Sequence, residues 1–240
     1  LEKKGNINNE RTLKNMWNKK IVCDLTPFSL IDYPDKTSCI VWFAGCNMRC
    51  RYCYNPEIVF GKGQLRLGEV LEFVKSRDGL LDGVVFSGGE CTLHEEIMPF
   101  SRALKELGLL VKIDTNGSKP DLIQKMLRLS LIDYVSLDFK APLHKFKSVT
   151  DSTLFKEFER SLQILLKAEI PFELRTTFHS ELLNDSDLRG MIEFVNNAGY
   201  TGNYYIQNYI HSGNTVGRIE NRHNRLQTQH LSSNNIVIRN

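Results

Sequence analysis

Short runs of β-branched and apolar residues alternate along this chain with longer segments whose apolar positions recur at helical spacing. The first pattern predicts strands at Thr37–Phe43, Gly83–Ser87, Leu110–Thr115, Tyr134–Asp138, Phe172–Phe178 and Tyr204–Asn208. The second predicts helices at Glu69–Ser76, Glu95–Leu107, Pro120–Leu129, Leu154–Ala168 and Ser186–Ala198. In the fourth of these, Phe155, Phe158, Leu162, Leu165 and Leu166 fall on one face. Gly108 and Gly199 follow two of the helices and read as stops. A strand followed by a helix, repeated, is the pattern of βαβ units and a parallel sheet, so the fold class is α/β. An open doubly wound sheet and a partial barrel both satisfy that pattern, and periodicity does not choose between them.

In either architecture, active sites gather at the carboxyl ends of the parallel strands. The unusual residues fall there. A cysteine cluster follows the first strand, Ser87-Gly88-Gly89-Glu90 ends the second, and Asp114-Thr115-Asn116-Gly117 ends the third. Asp138 and Lys140 end the fourth, Arg175 lies on the fifth, and Gln207 to His211 end the sixth.

At 240 residues the chain is long enough for one sizeable α/β core. Three parts are expected: a polar appendage over 1–20, a core domain over 21–213 and a polar tail over 214–240. Within the tail, Ile236-Val237-Ile238 has the composition of a short strand. A net charge of +3 does not suggest a nucleic-acid binder. No apolar run reaches the roughly 18 residues of a membrane span, and the Lys- and Asn-rich start has no apolar signal core. The expectation is a cytoplasmic protein with neither a nucleic-acid nor a membrane partner.

Three of the six cysteines, Cys46, Cys50 and Cys53, crowd into one loop with the spacing C-x3-C-x2-C. Disulfides are not needed in a chain of this size and compartment. A tight loop of this kind can wrap thiolates around an iron–sulfur cluster. Three ligands on a four-iron cluster leave one iron open to a substrate or cofactor. Structural zinc wants four closed ligands, generally in paired C-x2-C units, and Cys23, Cys39 and Cys91 are isolated. The four-cysteine spacing of a ferredoxin is not completed either.

C-x3-C-x2-C with an aromatic just before the last cysteine resembles the radical S-adenosylmethionine (SAM) superfamily, over about Thr26 to His211. The resemblance implies a partial (β/α)6 TIM-like barrel, with one 4Fe-4S cluster on Cys46, Cys50 and Cys53. It implies that Tyr52 contacts the adenine of S-adenosyl-L-methionine. Gly88-Gly89-Glu90 resembles the family's GGE motif, which holds the methionine amino group. Two glycines let the backbone approach a ligand closely, and Glu90 can take an ammonium. Cys91 stands where the family often has Pro, and it reads as a spectator thiol near the site.

Asp114-Thr115-Asn116-Gly117 and Asp138-Phe139-Lys140 resemble the D-T-N-G and D-x-K motifs of glycyl-radical-enzyme activases. That implies that Lys140 points inward and pairs with the cofactor carboxylate. Asp114, Thr115, Asn116 and Asp138 are then cofactor-binding residues, with a monovalent cation as an additional cofactor. An Arg in a buried strand is rare unless paired, and the resemblance favours contact of Arg175 with the cofactor. His211 is a further candidate, with His179.

The stretch Phe28-Ser29-Leu30-Ile31-Asp32-Tyr33-Pro34-Asp35-Lys36, together with Gly45 to Pro56, is similar to anaerobic ribonucleoside-triphosphate reductase activating proteins. Pyruvate formate-lyase activating enzymes are close behind. The resemblance implies reductive cleavage of S-adenosylmethionine to a 5′-deoxyadenosyl radical, which installs a glycyl radical on a partner enzyme. Flavodoxin or ferredoxin would supply the electron. Asn203–Gly213 is the candidate partner contact. A small-molecule enzyme, such as a 7-carboxy-7-deazaguanine synthase, is the main alternative. A cluster used only for electron transfer conflicts with the assembled GGE and D-x-K motifs.

Overall fold

The structure, a computed structural model, describes residues 15–210, 213–219, 225–226 and 235–239. Among the described residues nine strands form one sheet: β1 (Lys20–Ser29), β2 (Ser38–Phe43), β3 (Leu65–Arg66), β4 (Gly83–Gly88), β5 (Leu110–Thr115), β6 (Tyr134–Asp138), β7 (Phe172–Phe178), β8 (Tyr204–Asn208) and β9 (Ile236–Arg239). Their spatial order is β3-β1-β2-β4-β5-β6-β7-β8-β9. From β2 to β9 every neighbouring pair is parallel, while β1 runs antiparallel to both β2 and β3. The ends of the sheet, β3 and β9, are not paired with each other, so the barrel is partial. The six expected strands are all present. The Ile236-Val237-Ile238 run joins as a further parallel strand on β8.

The helices are α1 (Pro56–Phe60), α2 (Leu67–Lys75), α3 (Ile97–Glu106), α4 (Pro120–Arg128), α5 (Leu143–Thr150), α6 (Phe155–Leu166) and α7 (Asp185–Asn197). Pro at the first turn starts α1 and α4, where its fixed φ suits the helix and its missing N–H costs nothing. A capping box starts α7: Asn184 accepts from the Asp187 N–H at 2.9 Å, and the Asp187 carboxylate accepts from the Asn184 N–H at 2.8 Å.

Sequence periodicity does not reveal β1, β3, α1 or α5. In β1, Pro27 cannot donate to a ladder, and the register with β2 shifts between Thr26 and Ser29. There β1 has no partner on its other side among the described residues, because β3 pairs only with Lys20 and Val22. Just before β1, Met16 is buried, and Trp17 meets Phe100 edge-on at 6.2 Å.

The two faces of the sheet differ. Outward-facing residues such as Val84, Phe86, Val111, Ile113, Val135, Leu137 and Leu174 are fully buried in the main core beneath the helices. A smaller cluster of Tyr33, Ile40 and Val85, with Trp42, Leu110 and Tyr134 against it, fills part of the inner face. The rest of that face is polar and lines a cavity.

Candidate active site

The cavity has a volume of about 920 Å³ and is lined by residues from the cysteine loop, the ends of β4 to β6 and the inner faces of β7 to β9. Cys46, Cys50 and Cys53, between β2 and α1, all line it, whereas Cys23, Cys39 and Cys91 do not. The loop is held on both sides. The Gly45 N–H donates to the Ile58 carbonyl at 2.8 Å, and the Arg49 and Arg51 N–H groups donate to the Thr150 and Val149 carbonyls at the end of α5. The Arg49 guanidinium donates back to the Cys46 and Met48 carbonyls at 2.6 and 2.9 Å.

Burial pushes the Cys50 thiol up to about 12 and raises that of Cys46. Thiolates in such a place need a positive charge bound to sulfur, which iron supplies. Among the described residues no three His, Cys, Asp or Glu side chains could hold a single metal ion. Cys46, Cys50 and Cys53 together present three thiols to one cavity, a donor set that suits an iron–sulfur cluster. Tyr52 lines the same cavity, and its buried hydroxyl has no hydrogen-bond partner among the described residues. A polar atom left so is costly unless a ligand completes it.

The two glycines of the Gly88-Gly89-Glu90 turn line the cavity, but the structure gives them an additional reason. A Cβ on Gly89 would lie 1.9 Å from the Gly45 carbonyl oxygen, and one on Gly88, at φ +113°, would lie 2.5 Å from the Phe43 backbone. Their close approach is to the chain leading into the cysteine loop. The Glu90 N–H seals it, donating to the Gly45 carbonyl at 2.9 Å.

The Glu90 side chain, expected to take an ammonium, is held by neighbouring donors. It is 1% exposed and does not line the cavity. One carboxylate oxygen accepts from the Thr92 N–H (3.1 Å) and from the Thr92 (2.5 Å) and Thr115 (2.7 Å) hydroxyls, and the other from the Asn116 N–H (2.7 Å). Burial raises the Glu90 carboxyl, and these donors oppose that rise. Glu90 therefore ties the turn after β4 to the turn after β5. Cys91, beside it, is fully buried, and its thiol donates to the Asp114 carbonyl at 3.5 Å.

The Asp-Thr-Asn-Gly and Asp-x-Lys segments converge. Lys140 turns inward, its Nζ 2.9 Å from Asp138. Arg175 bridges two carboxylates, with its Nε 3.1 Å from Asp138 and a terminal nitrogen 3.4 Å from Asp114. Burial would raise the Asp114 carboxyl, but Arg175 and Lys112 outweigh it and hold it down at about 2. Asp138 is lowered in the same way, against burial, by Lys140 and Arg175. The Asn116 amide donates to the Asn47 side chain at 3.0 Å, linking this turn to the cysteine loop. The Arg175 guanidinium thus lies between the Asp114 and Asp138 carboxylates.

Sequence reasoning did not single out two charged residues here. Lys112, 2% exposed, donates to Asp114 at 2.5 Å. Glu173 accepts from the Ser136 and Tyr134 hydroxyls at 2.8 and 3.2 Å. The signal was available: each lies two residues from a named site residue, Asp114 or Arg175, and so shares its face of the strand. His211 lies outside the described residues. His179 is buried against Tyr209 and does not line the cavity.

Residues 40–195 match the family described as the Radical SAM superfamily. The chain belongs to this superfamily. As a radical SAM enzyme it is of a class built around a 4Fe-4S cluster and S-adenosylmethionine, and its cysteine loop and cavity suit both. The chain is 32% identical over 185 residues, 74% of its length and 76% of the relative's, to a Methanocaldococcus jannaschii protein named "Putative glycyl-radical enzyme activating enzyme". It is 35% identical over 118 residues to the pyruvate formate-lyase-activating enzyme of Clostridium pasteurianum, covering 46% of this chain and 48% of that one. The 7-carboxy-7-deazaguanine synthase of Thermoplasma acidophilum matches at 26% over 157 residues, covering 64% of this chain and 65% of that one. Among solved structures, Streptococcus suis SuiB bound to S-adenosylmethionine superposes with a TM-score of 0.61 at 13% identity, covering 77% of this chain and 45% of SuiB. The chain thus spans less than half the length of SuiB and of the Clostridium enzyme, and the SuiB likeness shows the fold alone. Among the described residues no helix is long and apolar enough to cross a membrane.

Proposed function

We propose that this radical SAM enzyme is a glycyl-radical-enzyme activating enzyme. The observation that carries the reading is the 32% identity to an activating-enzyme relative across 74% of this chain and 76% of that one. Cys46, Cys50 and Cys53 hold the cluster. Tyr52 packs against the cofactor adenine and offers its buried hydroxyl. Lys140 donates to the cofactor carboxylate, and Asp138 keeps it charged and aimed. Arg175, Asp114, Thr115 and Asn116 frame the methionine end, with the backbone of Gly88 and Gly89 as its floor; Glu90 acts by fixing that floor. When bound, the reduced cluster and S-adenosylmethionine supply a 5′-deoxyadenosyl radical able to take one hydrogen atom. The partner is a large glycyl radical enzyme, an anaerobic ribonucleoside-triphosphate reductase first and a pyruvate formate-lyase next. The electron comes from flavodoxin or ferredoxin in the cytoplasm.

The test mixes reduced enzyme, cofactor and candidate partner under anoxia. A glycyl radical signal that changes when the partner's glycine is α-deuterated, with deuterium appearing in 5′-deoxyadenosine, is the expected result. Consumption of a small substrate without that transfer would replace the reading by a small-molecule enzyme, for which the 7-carboxy-7-deazaguanine synthase match speaks. Reconstituted protein should carry about four irons per chain, and Cys50→Ala should lose both iron and cofactor cleavage, while Cys91→Ala keeps the cluster.

A further inference from the structure

Nearly all the charged side chains lining the cavity are matched from within the barrel. Lys112 pairs with Asp114, Arg175 with Asp114 and Asp138, and Lys140 with Asp138. Glu173 accepts from Ser136 and Tyr134, and Asp32 from Ser29. Among the described residues Arg239 is the exception: it lines the cavity and has no carboxylate partner. Its guanidinium carbon lies 3.7 Å from the centroid of the Tyr205 ring. The Tyr205 hydroxyl is itself held by the Asn203 amide at 3.2 Å. Stacking uses the flat face of a guanidinium and leaves its N–H edge available for a planar acceptor.

Arg239 does not stand alone. The sheet register places it beside Gln207, and Gln207 beside Thr177, at the carboxyl ends of β9, β8 and β7. All three line the cavity. Thr177 and Gln207 make no side-chain hydrogen bond among the described residues. A hydroxyl, an amide and a guanidinium thus form one row with unspent donors. The row lies at the far end of the sheet from β2, whose loop carries the cysteines. Donor-rich and cationic, it is complementary to a carboxylate lying next to an amide.

From this the geometry points to Thr177, Gln207 and Arg239 as a substrate-recognition row for a carboxylate-bearing substrate. Arg239 takes the carboxylate, and Gln207 and Thr177 take an adjoining amide. Resting on the activase reading, the occupant is a polypeptide segment with an acidic side chain close to its target glycine. A small-molecule carboxylate would use the same chemistry.

The experiment uses the full reconstituted chain and two sets of probes. The first is a series of heptapeptides centred on an α-deuterated glycine, each carrying Asp or its Asn counterpart at one flanking position. The second is benzoate against benzamide, read by saturation-transfer NMR. In wild type, one Asp position should transfer deuterium into 5′-deoxyadenosine about tenfold or more efficiently than its Asn counterpart, as expected for a charged hydrogen bond. Benzoate should be favoured over benzamide. Arg239→Gln should erase both preferences, the loss falling on KM rather than kcat, and Arg239→Lys should restore part of them. Preferences that are absent in wild type, or that survive Arg239→Gln, overturn the proposal. Deuterium transfer without an acidic preference removes the row and keeps the activase reading. Preference for benzoate without any glycine transfer keeps the row and removes the activase reading.

Discussion

Leu137 and Asp138 are neighbours in β6, yet they live in different chemistries. Leu137 faces outward and is completely buried among helices. Beyond the strand end, Phe139 stacks on Phe158 at 4.7 Å in the same layer. Asp138 faces inward, where its carboxylate is shared between Lys140 and Arg175. The outer face is held by area removed from water, which no single neighbour can cancel. The inner face is held by charges whose worth depends on each other, because a buried ion without its partner is a liability. The comparison teaches that the helical layer supports the fold and that the inner layer spends part of that support on a charged site.

The largest effect should come from the outer layer. Phe158→Ala should cost about 3–5 kcal/mol in urea unfolding of the cofactor-free protein, the range for truncating a fully buried aromatic. A cost near zero would break the comparison. Next comes Asp114→Asn on the inner face, at about 2 kcal/mol near neutral pH, from a carboxyl held near 2 against an ordinary value close to 4. The sign is fixed: the lowered carboxyl contributes its stability above its unfolded value and loses it as pH falls from about 4 through about 2. Unfolding free energies of wild type and Asp114→Asn should therefore converge over that acid window. A constant gap would mean that the inner charges do not act as described.

A smaller effect belongs to Ser161→Ala. The Ser161 hydroxyl donates to the Gly117 carbonyl at 2.6 Å and is the outer layer's polar tie to the turn after β5. Its loss should cost about 1 kcal/mol, measured by the urea midpoint at unchanged slope. The smallest is Asp121→Ala, which removes an ion pair to Arg160 whose side chains are 58% and 83% exposed. Exposed pairs of this kind contribute under about 1 kcal/mol, and no resolvable shift in thermal midpoint is expected.

The outer layer was the readable one. β5, β6, β7 and β8 fall where their apolar positions predict, because the face beneath the helices must be apolar even where the inner face is polar. β1 was hidden by Pro27 and by charges tolerated at a poorly paired edge. α5 begins after Pro142 and carries Lys145, Lys147 and Thr150 in place of a regular apolar stripe. In the site, the cysteines and the Asp-x-Lys motif were legible because their chemistry is local in sequence. The hydrogen-bond partners of Glu90 were not, since Thr115 and Asn116 come from a different strand end. Lys112 was lost inside an apolar run, and Arg239 in a tail whose strand draws its meaning from β8.

The burial of Cys91 has a consequence for how cleanly such a protein can handle an unpaired electron. Sulfur holds hydrogen more weakly than carbon does, so a thiol facing the cavity would be a competing donor and a dead end for the reaction. Here the thiol is turned to the Asp114 carbonyl with no exposed surface. The hydrogen that is easiest to steal is kept out of reach behind β5. In heavy water, where thiols exchange, the 5′-deoxyadenosine formed should accordingly carry no deuterium drawn from Cys91.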